Sequence, residues 1–260
     1  MPLLTRSRLT ELAVNVYESS ARDCKRSILD LLEPNSAAQL LDCGCRDGQF
    51  TLELAQQIGA PQPAGIEIVP AVARLARARG VAAAVGDLNQ PLPFGDHTFD
   101  VLVANQVIEH LSDTDGFVRE LGRVLRPGGY AVLSTNNLSS WHNLAALLLG
   151  KQPFPSDVSD DPSIGKLLPL FEGDDCPGMT HLRVFAYDAL RELLVRHGFH
   201  VEASLGVGYY PFLNGSARLL SRLDKRHAAY QTIKVRPAID RGRRAAIRDS
   251  RMHDNGARQA

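Results

Sequence analysis

The chain has 260 residues, 44% of them hydrophobic, and its 29 basic side chains balance 29 acidic ones. That length and apolar content suit one large domain with a full buried core, and the charge balance gives no overall attraction to nucleic acid or an anionic membrane. The longest purely apolar run, residues 144–149, falls far short of the about 20 residues needed to cross a bilayer.

Leu9, Leu12, Val16, Ile28, Leu31 and Leu32 fall at helical intervals up to Pro34, which predicts one or two amphipathic helices in an N-terminal segment, residues 1–35. Thr5, Arg6 and Arg8 interrupt the first apolar residues, so this is not a secretory signal, and a cytoplasmic location is expected. Residues 39–43 then read as a short buried strand. The chain turns through Gly44 and Gly48 and enters a helical pattern, Phe50, Leu54 and Ile58, closed by Gly59. A strand, tight loop and helix in that order put backbone N–H groups and the positive end of a helix beside the carboxyl end of a strand, where a nucleotide-like ligand can sit.

The alternation continues with strands at 64–68, 81–85, 100–104 and 130–134, and helices at 71–79 and 113–125. It resumes after residue 180 with a helix at 187–197 and strands at 200–206 and 230–236. Strands alternating with helices predict an α/β fold with a mostly parallel seven-stranded sheet and helices on both faces, in one domain over 36–237. Residues 141–180, rich in Pro, Asp, Ser and Gly, are too long for an ordinary connection and are expected to form a lid or substrate wall. Residues 238–260 hold six arginines against three aspartates with few apolar anchors and read as a disordered basic tail.

Three carboxylates mark the ends of successive apolar runs: Asp42 before the first glycine, Glu67 in AGIEIVP and Asp87 in VAAAVGDL. In this order and spacing the chain resembles the class I S-adenosylmethionine-dependent methyltransferases, in particular the type 11 group that acts on small molecules. The resemblance extends through FDVLVANQVIEHL, LGRVLRPGGYAVLSTNN and HLRVFAYDALRELLVRHGF and covers most of residues 38–237. It implies a Rossmann-like sheet with the last strand antiparallel, S-adenosyl-L-methionine as cofactor, and a small-molecule acceptor as partner.

The resemblance also implies roles. Asp42 would lie near the amino end of the methionine moiety, with backbone N–H groups around Gly44 and Cys45 facing its carboxylate and Gly48 completing the loop. Glu67 would accept from both ribose hydroxyls, as a carboxylate can without offering a donor. Asp87, with the backbone of Leu88, would meet the adenine end, and Asn105 would lie within reach of cofactor and acceptor. Asn105 is followed by Gln106, Val107 and Ile108 where enzymes that methylate base or glutamine amino groups carry Asn/Asp-Pro-Pro-aromatic, which favours O- or C-acceptors. His110, in the V-x-E-H element with Glu109, is a candidate base or acceptor-orienting group. His181 and Arg183 are candidates to bind an anionic or carbonyl group of the acceptor. Trp141, His142, Tyr209, Tyr210 and Phe212 would favour an apolar or aromatic acceptor if they converge.

Arg46 stands where the family loop usually has glycine, which argues against a close backbone approach there. It also weakens a dinucleotide-dependent oxidoreductase, whose G-x-G-x-x-G would need glycines where Arg46 and Gln49 stand. The same motifs would also suit a non-catalytic cofactor-binding subunit, or a methyltransferase directed at protein or RNA. No metal site is expected: Cys24, Cys43, Cys45 and Cys176 show no zinc-ligand spacing and read as small buried thiols.

Overall fold

The computed structural model describes residues 6–159, 161, 163–167 and 181–238. Seven strands form one sheet in the order β3-β2-β1-β4-β5-β7-β6. They are β1 (Leu40–Cys43), β2 (Ala64–Glu67), β3 (Ala82–Val85), β4 (Phe99–Asn105), β5 (Leu125–Asn136), β6 (Phe199–Val207) and β7 (Tyr230–Pro237). The pairs among β1 to β5 are parallel, whereas β7 runs antiparallel between β5 and β6. The sheet is therefore the expected one, with its last strand antiparallel.

Period-two alternation divides the strands between two cores. Leu40, Val101, Val103 and Val132 point to one face, where Leu54 and Ile58 of α2 (Gln49–Ile58) and Ile28 of α1 (Arg6–Leu29) cover them. Leu41, Leu102, Ala104 and Leu133 point to the other, under Phe117, Val118 and Leu121 of α4 (Thr114–Val124) and Leu190 and Leu194 of α6 (Tyr187–Arg196). Burying side chains of this size stabilises the fold by about 1.5 to 3 kcal/mol each. α3 (Pro70–Ala78) closes a smaller cluster of Ala76 with Cys45, Val81 and Ala83.

Among the described residues the N-terminal segment holds one helix, and it docks: Ile28 is fully buried and Ser27 Oγ lies 2.7 Å from Thr232 Oγ1 of β7. The expected insert contains α5 (Trp141–Leu148) and a bridge between Gln152 and Lys166. One helix lies outside the expected pattern, α7 (Asn214–Leu223), whose buried face is only Ala217 and Ser221. The basic tail, apart from Ala238, and Cys176 lie outside the described residues. Among the described residues no helix is long and apolar enough to cross a membrane.

Candidate active site

The site residues collect at the carboxyl ends of β1, β2 and β4. Asp42 shares the face of Leu40 and so points at α2, where Thr51 Oγ1 donates to its Oδ2 at 2.7 Å. Only 3% of Asp42 is exposed. Burial pushes its carboxyl up to about 7, against the pull of the Thr51 hydroxyl and the Lys25 charge, with Glu67 adding to the rise. Thr51 was not singled out from the sequence, although its place in the first turn after the glycine loop is the available signal.

Gly44 has φ +79°, and a Cβ there would stand 2.7 Å from Val107 Cγ2, so both backbone and space demand glycine. Gly48, at φ +82°, would place a Cβ 3.0 Å from the Ala76 Cα, which gives it a packing role against α3. The expectation that N–H groups of Gly44 and Cys45 face a ligand carboxylate is corrected. Both donate to the Ile66 carbonyl, at 2.9 and 3.0 Å, and Gly48 N–H donates to the Cys45 carbonyl at 2.9 Å. The first two donors are consumed in stitching the loop to β2, and the third closes the loop on itself.

Arg46 meets the turn's demand in another way. It adopts φ 48°, the left-handed conformation that glycine would take, and its N–H donates to Glu67 Oε2 at 3.1 Å. Glu67 Oε1 accepts from Val69 N–H at 2.9 Å. Two lone-pair positions of this largely buried carboxylate remain for vicinal hydroxyls. Asp87 is exposed, its Oδ1 capped by the Asn89 N–H and amide at 2.9 and 3.0 Å, and Leu88 is buried beside it.

Asn105 points back to α1. Its Oδ1 accepts from Ser134 Oγ at 2.7 Å and lies 3.8 Å from Cys24 Sγ. Burial pushes the Cys24 thiol up to about 11, so it serves as a donor, and the Cys43 and Cys45 thiols are likewise raised by burial. This matches the buried-thiol reading for all three.

Beyond Asn105 a short 3-10 turn, Ile108–His110, brings Glu109 and His110 beside His181. The His110 and His181 rings are tilted by 46° with centroids 4.9 Å apart. Glu109 is 1% exposed and accepts from Thr135 Oγ1 at 2.9 Å. Burial pushes its carboxyl up to about 7, opposed by its own backbone N–H and by Thr135. His181 Nδ1 lies 2.9 Å from the Pro155 carbonyl, which only accepts, so the proton sits on Nδ1 and Nε2 carries the lone pair. Burial holds the His181 pKa below its ordinary value. Arg183 is directed elsewhere, to the Ser112 carbonyl at 2.9 Å.

The aromatic residues split into two groups instead of converging. Trp141 stacks on His227 at 4.4 Å and shares Asp224 with Tyr209, whereas His142 packs 4.6 Å from Tyr210. Burial lowers His142 to about 4, which keeps it neutral. A separate cleft lined by Glu33, Pro34, Asp100, Tyr130 and Arg236 lies at the amino ends of β4 and β5, away from these groups.

A family model described as a methyltransferase domain matches residues 17–204, well over half of the chain. The chain is 31% identical over 206 residues to a ubiquinone biosynthesis O-methyltransferase of Xylella fastidiosa, covering 75% of this chain and 73% of that one. The chain belongs to the class I S-adenosylmethionine-dependent methyltransferases. A malonyl-[acyl-carrier protein] O-methyltransferase of Serratia marcescens is 30% identical over 47% of this methyltransferase and 49% of its own length. Among solved structures, an S-adenosylmethionine-dependent methyltransferase from Mesorhizobium loti covers 81% of this chain and 96% of its own, with a TM-score of 0.55 and 19% identity. At that identity the likeness speaks for the fold. The enzyme's donor is S-adenosyl-L-methionine, and the geometry fits it: a buried acid at Asp42 that a neighbouring cation would return to its ionised form, and a carboxylate at Glu67 with unused acceptor capacity.

Proposed function

We propose that this methyltransferase moves a methyl group to an oxygen of a small-molecule acceptor, with lipid-like, quinone or sugar-derived compounds as the classes to examine first. The observation that carries the reading is the grouping of Glu109, His110 and His181 just past Asn105, beside the cofactor end of the sheet. The relatives named for O-methyl transfer support the choice of oxygen.

When bound, the cofactor supplies a methyl group already activated on a sulfonium, so the protein's main tasks are alignment and exclusion of water. Asp42 holds the amino group of the methionine moiety. Glu67 accepts from the two ribose hydroxyls while continuing to hold Arg46 N–H, so cofactor grip and loop geometry are coupled in one side chain. Asp87 and the Leu88 backbone meet the adenine end, and Asn105 marks the border with the acceptor. His110 and His181 orient the acceptor hydroxyl.

The test is methyl transfer from radiolabelled cofactor to a panel of phenols, catechols, hydroxy acids and polyprenyl phenols, with the methylated atom located by mass spectrometry. Transfer to oxygen is expected. Label found only in protein or RNA, or no label transferred to any of these compounds, overturns the reading.

A further inference from the structure

We propose that Glu109, His110 and His181 form a binding site for a divalent first-row cation of the zinc type, whose open position takes the acceptor's hydroxyl oxygen. The proposal rests on the O-methyl transfer reading for the occupant of that position, while the cation site itself rests on the geometry alone.

One ligand atom from each of the three residues lies within 4.8 Å of the other two. Zinc bonds of about 2 Å separate neighbouring ligand atoms by roughly 3 to 3.5 Å, so modest side-chain rotation closes the set. The donor set, one carboxylate oxygen and two imidazole nitrogens, is that of three-ligand zinc sites that leave a fourth position open. Imidazole suits zinc, iron, copper or nickel better than magnesium or calcium, which favour all-oxygen shells.

The surroundings hold these donors in place. The Pro155 carbonyl takes the Nδ1 proton of His181 and so leaves the lone pair on Nε2, as a backbone acceptor does for a metal-ligating histidine; the Asn136 amide nitrogen lies 3.5 Å from that Nε2 and would yield it to the cation. The Glu109 carbonyl accepts from both Leu182 and Arg183 N–H, at 2.8 and 2.9 Å, which fixes the segment carrying His181 against the one carrying Glu109 and His110. Lys166 Nζ donates to the carbonyls of Pro153, Phe154 and Ser156, fastening the loop that supplies the Pro155 carbonyl.

A second observation points to a polar occupant. Gln231 of β7 is fully buried, and neither its amide nitrogen nor its amide oxygen has a partner among the described residues. It stands directly opposite Thr135 in the β5–β7 ladder, so the two side chains share a face, and Thr135 donates to Glu109. Buried amides are rarely left unpaired, and one beside such a cluster fits a cation's water or acceptor ligand.

The experiment titrates the full chain with Zn²⁺ and, separately, with Co²⁺ followed by its visible absorption, with thermal melts recorded on every variant. One tightly bound equivalent is expected. Affinity should fall about tenfold or more in Glu109→Gln, His110→Ala and His181→Ala, since even outer-shell losses cost that much, with His200→Ala as an unaffected control. Catechol should perturb the Co²⁺ spectrum of the wild type. Absence of a stoichiometric equivalent in the wild type, or the same affinity in a folded Glu109→Gln/His181→Ala double variant, overturns the site. Full methyl transfer to oxygen after chelation would remove the cation while leaving the proposed activity standing; cation binding without any O-methylation would do the reverse.

Discussion

The backbone N–H of Arg46 donates to Glu67 Oε2 at 3.1 Å while Arg46 itself sits at φ 48°. The residue that departs from the family's glycine loop thus keeps the loop's conformation, held by the carboxylate assigned to the ribose. Left-handed backbone costs a non-glycine residue about 1 to 2 kcal/mol. Arg46→Gly should therefore leave stability unchanged or raise it by about 1 kcal/mol, with cofactor affinity within twofold of wild type. Calorimetry that shows a loss of affinity beyond tenfold would mean that the Arg46 side chain itself touches the cofactor.

Glu67 carries more. Glu67→Ala removes the acceptor proposed for the ribose and releases the N–H groups of Arg46 and Val69 together. Affinity for S-adenosylmethionine should drop by about 2 to 4 kcal/mol, since hydrogen bonds to a charged group are worth about 1.5 to 3 each. Titration of the variant with the demethylated product checks this, and unchanged affinity would reassign the residue to loop structure alone.

Asp42 gives the protein a pH signature. Its folded pKa of about 7 lies above the ordinary 3.8, so the protonated acid is favoured by folding. The stability this contributes is complete below about 4 and is lost as pH rises towards about 7. Asp42→Asn, which keeps an acceptor for Thr51, does not titrate. Its melting temperature without cofactor should therefore gain on that of the wild type from about pH 4 to pH 7 and then stay level. Parallel curves for the two proteins would show that Asp42 is ionised in the folded state throughout.

His110→Ala should lower turnover by roughly 10²-fold or more with little change in cofactor affinity, in keeping with the worth of a positioned base or orienting group. A destabilised but fully active variant would move His110 to a packing role.

Much of this architecture was legible in the chain. The strands of the central sheet announced themselves because both faces are buried and their apolar runs are nearly continuous, and Glu67 and Asp87 stood out as charges ending such runs. α7 escaped although Ala217, Leu220 and Leu223 fall at helical spacing: it is short, lies between two strands that read as joined by a plain connection, and buries only Ala217 and Ser221 while Leu219 and Leu223 stay exposed. The fate of the Gly44 and Cys45 N–H groups was hidden for another reason: their partner, the Ile66 carbonyl, is supplied by a neighbouring strand, and local spacing cannot register it. The same holds for His181, which meets Glu109 and His110 only after the chain has passed through the insert.

The pair of hydrogen bonds from Leu182 and Arg183 to the Glu109 carbonyl has a further consequence, for descent with change. It clamps the far end of the insert at a backbone atom, indifferent to the side chains on either partner. With the Pro155 carbonyl on His181 Nδ1, it leaves His181 placed by backbone atoms, so that side chains around it can change without displacing it. A change of acceptor would then need only new side chains there, while Glu109, His110 and His181 stay where they are.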